Sequence, residues 1–177
     1  MTDKGLIHVY YGDGKGKTTA ALGLALRAAG CGKNVVIVQF LKNWKCGEHE
    51  PLSKLTNITL LQGKVPDSKF VHEMTEEEKH QTKTIQNDCL KKAVELTENN
   101  KCDLLVLDEA LDAQELGVLD TRILEELIYS KPDLLELIIT GRRITGRLFE
   151  HADYVTEMVK HKHPYDKGVG ARRGIEY

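Results

Sequence analysis

Short runs of apolar residues alternate with longer amphipathic stretches along the chain. The apolar runs predict β-strands at Leu6–Tyr11, Val35–Phe40, Ile58–Leu61, Leu104–Leu107, Leu135–Thr140 and Tyr154–Met158. Apolar residues at helical spacing predict helices over 17–29, 75–98 and near 120–130. Several of the strand runs are almost continuously apolar, which is typical of strands buried on both faces. Strands that alternate with helices indicate an α/β fold, with a mainly parallel sheet and helices on both faces.

Two stretches, residues 41–56 and 62–74, show neither the apolar runs of a strand nor the apolar spacing of a helix, and each follows a predicted strand. Ligands of open parallel sheets bind at the carboxyl ends of the strands, so we expect these loops to border a binding site. The sequence contains no repeat, low-complexity tract or domain linker, which predicts a single domain over residues 1–177. Residues 160–177 form a basic, glycine-rich C-terminal tail with five Lys or Arg and two acidic residues.

The composition is that of an ordinary globular protein, with 177 residues, 41% apolar and 29% charged, and a net charge of −2. A weakly acidic chain is not expected to bind nucleic acid electrostatically. No apolar run approaches the roughly 18 residues of a membrane span, and no signal segment follows Met1, so we predict a cytoplasmic protein without membrane contact. Wide spacings and the absence of CxxC predict reduced, packed thiols at Cys31, Cys46, Cys89 and Cys102.

The strongest chemical motif is G-D-G-K-G-K-T-T, which lies between the first predicted strand and the first predicted helix. It predicts a phosphate-binding loop composed of Gly12, Asp13, Gly14, Lys15, Gly16, Lys17, Thr18 and Thr19. The glycines let backbone N–H groups approach phosphate, and the helix N-terminus adds unpaired N–H groups and a positive dipole end. Lys17 supplies a positive charge, and the Thr18 hydroxyl is a ligand for Mg²⁺. The first glycine of the usual G-x-x-x-x-G-K-[ST] pattern is displaced by one place, to Gly12.

Two further strands end in polar residues that suit a nucleotide site. Asp108 and Glu109 follow a buried apolar run, and their carboxylates are oxygen ligands of the kind that Mg²⁺ or Mn²⁺ prefers. Arg142 or Arg143, after the strand that ends at Thr140, is suited to bidentate phosphate binding. No guanine-binding N-K-x-D occurs, so the residues alone favour an ATP-dependent enzyme that requires a divalent metal.

The combined motifs resemble those of the ATP:corrinoid adenosyltransferases, the P-loop family that acts on cob(I)alamin or cob(I)yrinic acid a,c-diamide. The loop G-D-G-K-G-K-T-T-A-A is similar to the family's G-N-G-K-G-K-T-T-A-A, and the displaced glycine is a family trait. The resemblance extends over nearly the whole chain, through residues 38–42, 107–109, 140–142, 152–158, 162–165 and 174–177.

This resemblance implies a P-loop NTPase-like, RecA-like domain that transfers the 5′-deoxyadenosyl group of ATP to cobalt(I) of a corrinoid and releases triphosphate. The catalytic residues would stabilise charge on the leaving triphosphate, and they are Lys15, Lys17, Thr18 and Glu109. The implied Mg²⁺ ligands are Thr18, Asp108 and Glu109, and Arg142 is placed with the ATP-binding residues.

The family also implies a homodimer, and a reduced flavoprotein partner that converts cobalt(II) to cobalt(I). Family members remove the lower axial ligand of cobalt with an aromatic pair in a G-F-x-W segment. The corresponding residues here are Lys69-Phe70-Val71-His72, so Phe70 matches and His72 replaces the family's Trp. A smaller, polar ring is expected to shield the lower face of the corrinoid less well.

Two alternatives from other functional classes remain open at this point. A P-loop ATPase or small-molecule kinase would share the phosphate-binding loop and the paired acids, but it would release ADP or phosphate and never triphosphate. A nucleotide-dependent corrinoid carrier would bind both ligands without turnover. The reaction products distinguish the three possibilities.

Overall fold

The computed structural model describes residues 4–42, 46–63 and 69–177. Strands and helices alternate along these residues in the order β1 (Ile7–Tyr11), α1 (Lys17–Gly30), β2 (Val35–Gln39), α2 (His49–Ser53), β3 (Ile58–Gln62), α3 (Glu76–Glu98), β4 (Leu104–Asp108), α4 (Ala110–Glu115), α5 (Thr121–Tyr129), β5 (Glu136–Gly141), α6 (Gly146–His151) and β6 (Tyr154–Glu157). Short 3₁₀ turns lie at Val71–Glu73 and Pro164–Lys167.

The strands form one parallel sheet in the order β3-β2-β4-β5-β1-β6. Strand β5 lies between β1 and β4, since Ile139 pairs with Val9 on one side and with Leu107 on the other. The predicted α/β fold with a mainly parallel sheet is confirmed. Because the strands are parallel, the segments that follow β1, β4 and β5 leave the sheet side by side at one edge.

Different helices cover the two faces of the sheet. Along β2, Val35 and Ile37 belong to one hydrophobic cluster, whereas Val36 and Val38 belong to the other, as the pleat of a strand requires. The first cluster is closed mainly by alanines of α1, which are Ala21, Ala25, Ala28 and Ala29. The second is closed by residues of α3 to α6, among them Leu90, Leu111, Leu124 and Leu148. The predicted placement of helices on both faces is therefore confirmed.

The three predicted helices are present as α1, α3 and α5. The start of α3 is fixed by a capping box, in which the Glu78 N–H donates to Thr75 Oγ1 at 3.2 Å and the Thr75 N–H donates to Glu78 Oε2 at 2.7 Å. The sequence did not predict α2, α4 and α6, because helices of five or six residues are too short to show a period. Within the described ranges, no helix combines the length and apolarity needed to cross a bilayer.

Candidate active site

The phosphate-binding loop joins β1 to α1, in the strand–loop–helix context that the sequence predicted. Gly12 and Gly16 have φ angles of +112° and +117°, a region that L side chains rarely adopt. A Cβ at Gly12 would lie 2.5 Å from the carbonyl oxygen of Met158, and the Gly14 N–H donates to that same oxygen at 2.7 Å. Glycine is required here because the chain after β6 passes directly against the loop.

Lys17 is held by the loop that it follows. Its Nζ donates to the carbonyl oxygens of Gly12 at 2.7 Å and of Gly14 at 2.9 Å. Burial, together with the positive charge of Arg142, lowers the pKa of the Lys17 amine below its ordinary value. An anion in the loop would favour the charged form of the amine, so the site is electrostatically suited to phosphate.

Asp108 is the central polar residue of the site, and its carboxylate is fully buried. Its Oδ1 accepts hydrogen bonds from the hydroxyls of Thr18 and Thr140, both at 2.9 Å. Its Oδ2 accepts from Lys42 Nζ at 2.8 Å and from Gln39 Nε2 at 3.4 Å. Burial is the largest single influence on Lys42 and acts to lower its pKa. The attraction and hydrogen bond of Asp108, together with the charges of Glu109 and Glu48, outweigh burial, so the pKa is raised and Lys42 is a charged partner.

Glu109 begins the turn into α4 with a left-handed backbone, at a φ of +61°. This conformation is uncommon for a residue with a side chain, and the backbone is held because the Glu109 N–H donates to Thr140 Oγ1 at 2.8 Å. Burial, followed by the negative charge of Asp108, raises the pKa of Glu109 to about 7. A carboxyl that is costly to ionise beside a second carboxylate is a suitable position for a cation.

A cavity of about 680 Å³ opens over the phosphate-binding loop, and the C-terminal tail forms part of its wall. Lys15 Nζ donates to Glu176 Oε1 at 3.1 Å, and Arg172 also holds this carboxylate, through three hydrogen bonds of 2.8 to 3.2 Å. Asp13 Oδ1 accepts a hydrogen bond from the Lys160 N–H at 3.0 Å. The tail is thus folded across the loop, which the charge pattern of residues 160–177 does not reveal.

A second cavity of about 680 Å³ lies on the other side of Glu109, which lines both cavities. Phe70, which is 60% exposed, and His72 stack at its rim, with ring centroids 5.6 Å apart and planes at 12°. Arg142 and Arg143 line this second cavity. We refer to the two spaces as the loop cavity and the Phe70 cavity.

Residues 3–177 match the family model described as ATP:corrinoid adenosyltransferase BtuR/CobO/CobP. The chain belongs to the ATP:corrinoid adenosyltransferase family. It is 33% identical to the corrinoid adenosyltransferase of Escherichia coli K12, over 99% of this chain and 87% of that protein. It is 31% identical to the corrinoid adenosyltransferase of Pseudomonas aeruginosa, over 99% of this chain and 85% of that protein. Among solved structures, that of C. elegans PCH-2 resembles it weakly, with a TM-score of 0.42 and 16% identity over 89% of this chain and 36% of that chain.

Family membership confirms the resemblance on which the sequence analysis relied, and it makes the chain an enzyme of the corrinoid adenosyltransferase type. The loop cavity is lined by the predicted residues Asp13 to Thr19 and by Glu109. Arg142, which was predicted to bind ATP, has its side chain in the wall of the Phe70 cavity, while its carbonyl oxygen accepts from the Gly12 N–H at 3.1 Å.

The candidate site also contains polar residues that no sequence motif had indicated. Glu48 accepts hydrogen bonds from Gln39 at 3.1 Å and from Lys42 at 3.4 Å, so it extends the polar network of Asp108. Cys46, Glu48 and His49 have potential ligand atoms within 4.8 Å of one another, and the Cys46 N–H donates to His49 Nδ1 at 3.2 Å. The C-G-E-H run at residues 46–49 was the sequence signal for this cluster, but it lies in a stretch without helical or strand periodicity.

The four cysteines are free thiols, as predicted, and Cys46 and Cys102 are buried. The predicted packing is wrong for Cys31, which is exposed because it lies at the C-terminal cap of α1, and Cys89 is only partly buried.

Proposed function

We propose that this chain transfers the 5′-deoxyadenosyl group of ATP to cobalt(I) of a corrinoid where the loop cavity meets the Phe70 cavity. The observation that supports this arrangement is that Glu109 lines both cavities. ATP in the loop cavity and a corrinoid in the Phe70 cavity would be neighbours. The electron pair of cobalt(I) forms the cobalt–carbon bond, the bond from the 5′ carbon to oxygen breaks, and its electrons leave with triphosphate.

The loop residues bind and stabilise the triphosphate in this proposal. No phosphoryl group is transferred, so no base is needed to activate water, and the main requirement is to stabilise charge on the leaving group. Lys17 is already held at the mouth of the loop by two carbonyl oxygens, which fixes its amine before ATP binds. Lys15 is exposed and paired with Glu176, so its amine is available to exchange that carboxylate for a phosphate.

The residues fit a divalent cation, Mg²⁺ or Mn²⁺, which would neutralise charge on the triphosphate when bound. The proposed ligand set is Thr18, Asp108 and Glu109. Because the Thr18 hydroxyl donates its proton to Asp108, its lone pairs are free to face a cation. The two oxygens of Asp108 accept four hydrogen bonds already, so we propose that this residue acts chiefly by orienting Thr18. Glu109, whose ionisation is unfavourable beside Asp108, gains most from a nearby cation.

Phe70 and His72 would contact the corrinoid. Arg142 would bind ATP from the wall of the Phe70 cavity. Two stacked rings at the rim of a large cavity suit a flat macrocycle. A reduced flavoprotein is the proposed donor for the reduction of cobalt(II) to cobalt(I). Whether cobalamin or cobyrinic acid a,c-diamide is the physiological corrinoid depends on contacts in this cavity.

We further propose that the protein is a cytoplasmic homodimer, on the basis of the family alone. Sedimentation equilibrium at micromolar concentration should give twice the mass of the chain, and a species of single-chain mass would contradict the dimer. Cell fractionation should place the protein with cytoplasmic markers.

The decisive experiment mixes the protein with Mg-ATP and chemically reduced cob(I)alamin, and measures adenosylcobalamin and triphosphate. Stoichiometric formation of both products is expected. Release of ADP or phosphate instead would indicate an ATPase or kinase, and binding of both ligands without product would indicate a carrier.

A further inference from the structure

Gln86 lies on the buried stripe of α3, which contains Thr82, Gln86, Leu90, Ala93 and Thr97. The residue is 1% exposed, and neither Nε2 nor Oε1 of its amide has a hydrogen-bond partner among the described residues. The stripe begins beside the Phe70 cavity and runs into the hydrophobic core, and Gln86 is part of the cavity wall. Gln86 is thus the point at which the buried stripe meets the Phe70 cavity, although its two amide atoms have almost no accessible surface in the free protein. A ligand seated in this cavity would reach the amide after a rotation of the Gln86 side chain.

The neighbouring polar residues of the same stripe are satisfied. The Thr82 hydroxyl donates to the Glu78 carbonyl oxygen at 2.8 Å and also lies 3.4 Å from Met74 Sδ. The Thr97 hydroxyl donates to the Val94 carbonyl oxygen at 2.7 Å. A buried amide with neither group paired costs free energy, and native proteins rarely retain one without a function.

The amide of Gln86 presents one donor group and one acceptor side by side. Another primary carboxamide complements it completely, because each amide donates to the oxygen of the other. A carboxylate accepts from Nε2 but brings no proton for Oε1, so one buried oxygen would remain unpaired opposite a negative charge. The cavity wall formed by the described residues has no excess of either charge, because its ionic side chains are Lys69, Arg142, Arg143, Glu109, Asp112 and Glu115. Of these, Arg143 is paired with Glu115 at 2.7 Å. Discrimination between amide and acid at this position thus depends on Gln86.

We propose that Gln86 is a specificity-determining residue that binds a peripheral carboxamide of the corrinoid, so that the enzyme selects a corrinoid amidated at that arm over the corresponding carboxylic acid. The proposal rests on the proposed function, in which the corrinoid occupies the Phe70 cavity. Corrin rings carry acetamide and propionamide arms, and their less amidated precursors carry carboxylates at the same positions. The selection therefore concerns how far the corrinoid has been amidated before it is adenosylated.

Competition between two substrates tests the selection directly on the unmodified protein. Cobinamide and the mixture of its monocarboxylic acids, obtained by mild acid hydrolysis, are reduced chemically to cobalt(I) and supplied together with Mg-ATP. Chromatography of the adenosylated products is expected to show at least one acid isomer rejected about tenfold or more relative to the amide, because a site built for a hydrogen bond rejects the analogue that lacks it. Equal use of cobinamide and every isomer would overturn the proposal.

Gln86→Met removes the amide at nearly constant volume and assigns the selection to this residue. The variant should lose the discrimination between isomers and raise the KM for cobinamide about tenfold, with the KM for ATP unchanged. Thr97→Val, at the far end of the same stripe, is the matched control and should retain the wild-type selectivity. If the wild type is active and selective but Gln86→Met keeps that selectivity, the proposal fails while the proposed function stands. If the wild type adenosylates neither substrate, both fail.

Thermal unfolding of the free proteins separates a binding role from a structural one. Gln86→Met should raise the unfolding temperature, because it removes two buried polar atoms that have no partner. Thr97→Val should lower it, because it deletes a satisfied hydroxyl. A Gln86→Met protein that is less stable than the wild type would show that the amide is already paired, for example through a buried water, and would overturn the proposal.

Discussion

The hydroxyl of Thr18 donates a 2.9 Å hydrogen bond to Oδ1 of Asp108, a residue 90 positions further along the chain. This bond joins the first turn of α1 to the end of β4 across the carboxyl edge of the sheet. Thr140 lies near the end of β5, the strand between β4 and β1, and its hydroxyl donates to the same oxygen. The bond fixes the orientation of the hydroxyl that we propose as a metal ligand, so the phosphate-binding loop and the acidic strand end are one unit.

Lys17→Ala should lower adenosylation by at least about a hundredfold, because one preorganised charge on a leaving group contributes about 3 kcal/mol to transition-state stabilisation. The rate of triphosphate release with cob(I)alamin is the measurement. Lys92→Ala, which removes an exposed amine of α3 paired with Glu95, is the control and should retain the wild-type rate. Near wild-type turnover in Lys17→Ala would remove the loop lysine from the mechanism.

Asp108→Asn should destabilise the free protein by about 3 kcal/mol, because the buried Lys42 ammonium loses its closer counter-ion and keeps only the 3.4 Å contact with Glu48. The midpoint of urea unfolding measures the effect. Glu95→Gln is the matched control, since its ion pair with Lys92 has the same 2.8 Å separation but is exposed, and it should cost less than about 1 kcal/mol. Equal losses in the two variants would show that burial of the Asp108 pair does not govern its strength.

Glu109→Gln should weaken the dependence of the reaction on Mg²⁺, because it removes the carboxylate proposed to gain most from the cation. Titration of Mg²⁺ at saturating ATP should require a higher concentration for half-maximal rate than in the wild type. An unchanged Mg²⁺ titration would show that the metal has been placed wrongly.

The same variant should change the pH dependence of stability in the metal-free protein. The folded-state pKa of Glu109 is raised from 4.5 to about 7, so below the lower value the carboxyl is protonated in both states and contributes nothing. Between the two values the unfolded chain loses its proton first, so the wild type loses stability as pH rises. Over this range the free energy of unfolding of Glu109→Gln should rise relative to that of the wild type, by no more than about 3 kcal/mol. Parallel pH profiles of urea unfolding would contradict the raised pKa.

His72→Trp should increase the four-coordinate fraction of bound cobalt(II) and speed turnover with a flavoprotein reductant. Trp is bulkier, and its ring lacks the basic nitrogen with which neutral His can coordinate a transition metal. Electron paramagnetic resonance of cob(II)alamin bound with Mg-ATP reports the coordination, and preformed cobalt(I) should abolish the difference in rate. His80→Trp, on the exposed side of α3, is the control. If His72→Trp and His72→Ala both leave the spectrum and the coupled rate unchanged, His72 does not act on cobalt.

Much of the fold and of the nucleotide site followed from local sequence. The strands were predictable because buried parallel strands are continuously apolar, and α3 because its capping box and acidic first turn mark a helix start. The loop between β1 and α1 was predictable because its glycine-rich motif is contiguous in sequence, and its binding of phosphate stays a prediction. The short helices α2, α4 and α6 were not predicted, since fewer than two turns leave no period to detect.

The sequence by itself determined the α/β class, the loop from Gly12 to Thr19 and the family, because each is encoded in contiguous residues or in motifs of fixed order. Only the tertiary structure decided that Lys42, Thr18 and Thr140 converge on Asp108 and that Glu176 crosses the loop to reach Lys15. It also decided that Gln86 is buried and that its amide finds no partner within residues 4–42, 46–63 and 69–177. These are contacts, or missing contacts, between residues far apart in sequence, and they depend on which strands become neighbours and on how the helices pack against them. No local pattern specifies that arrangement.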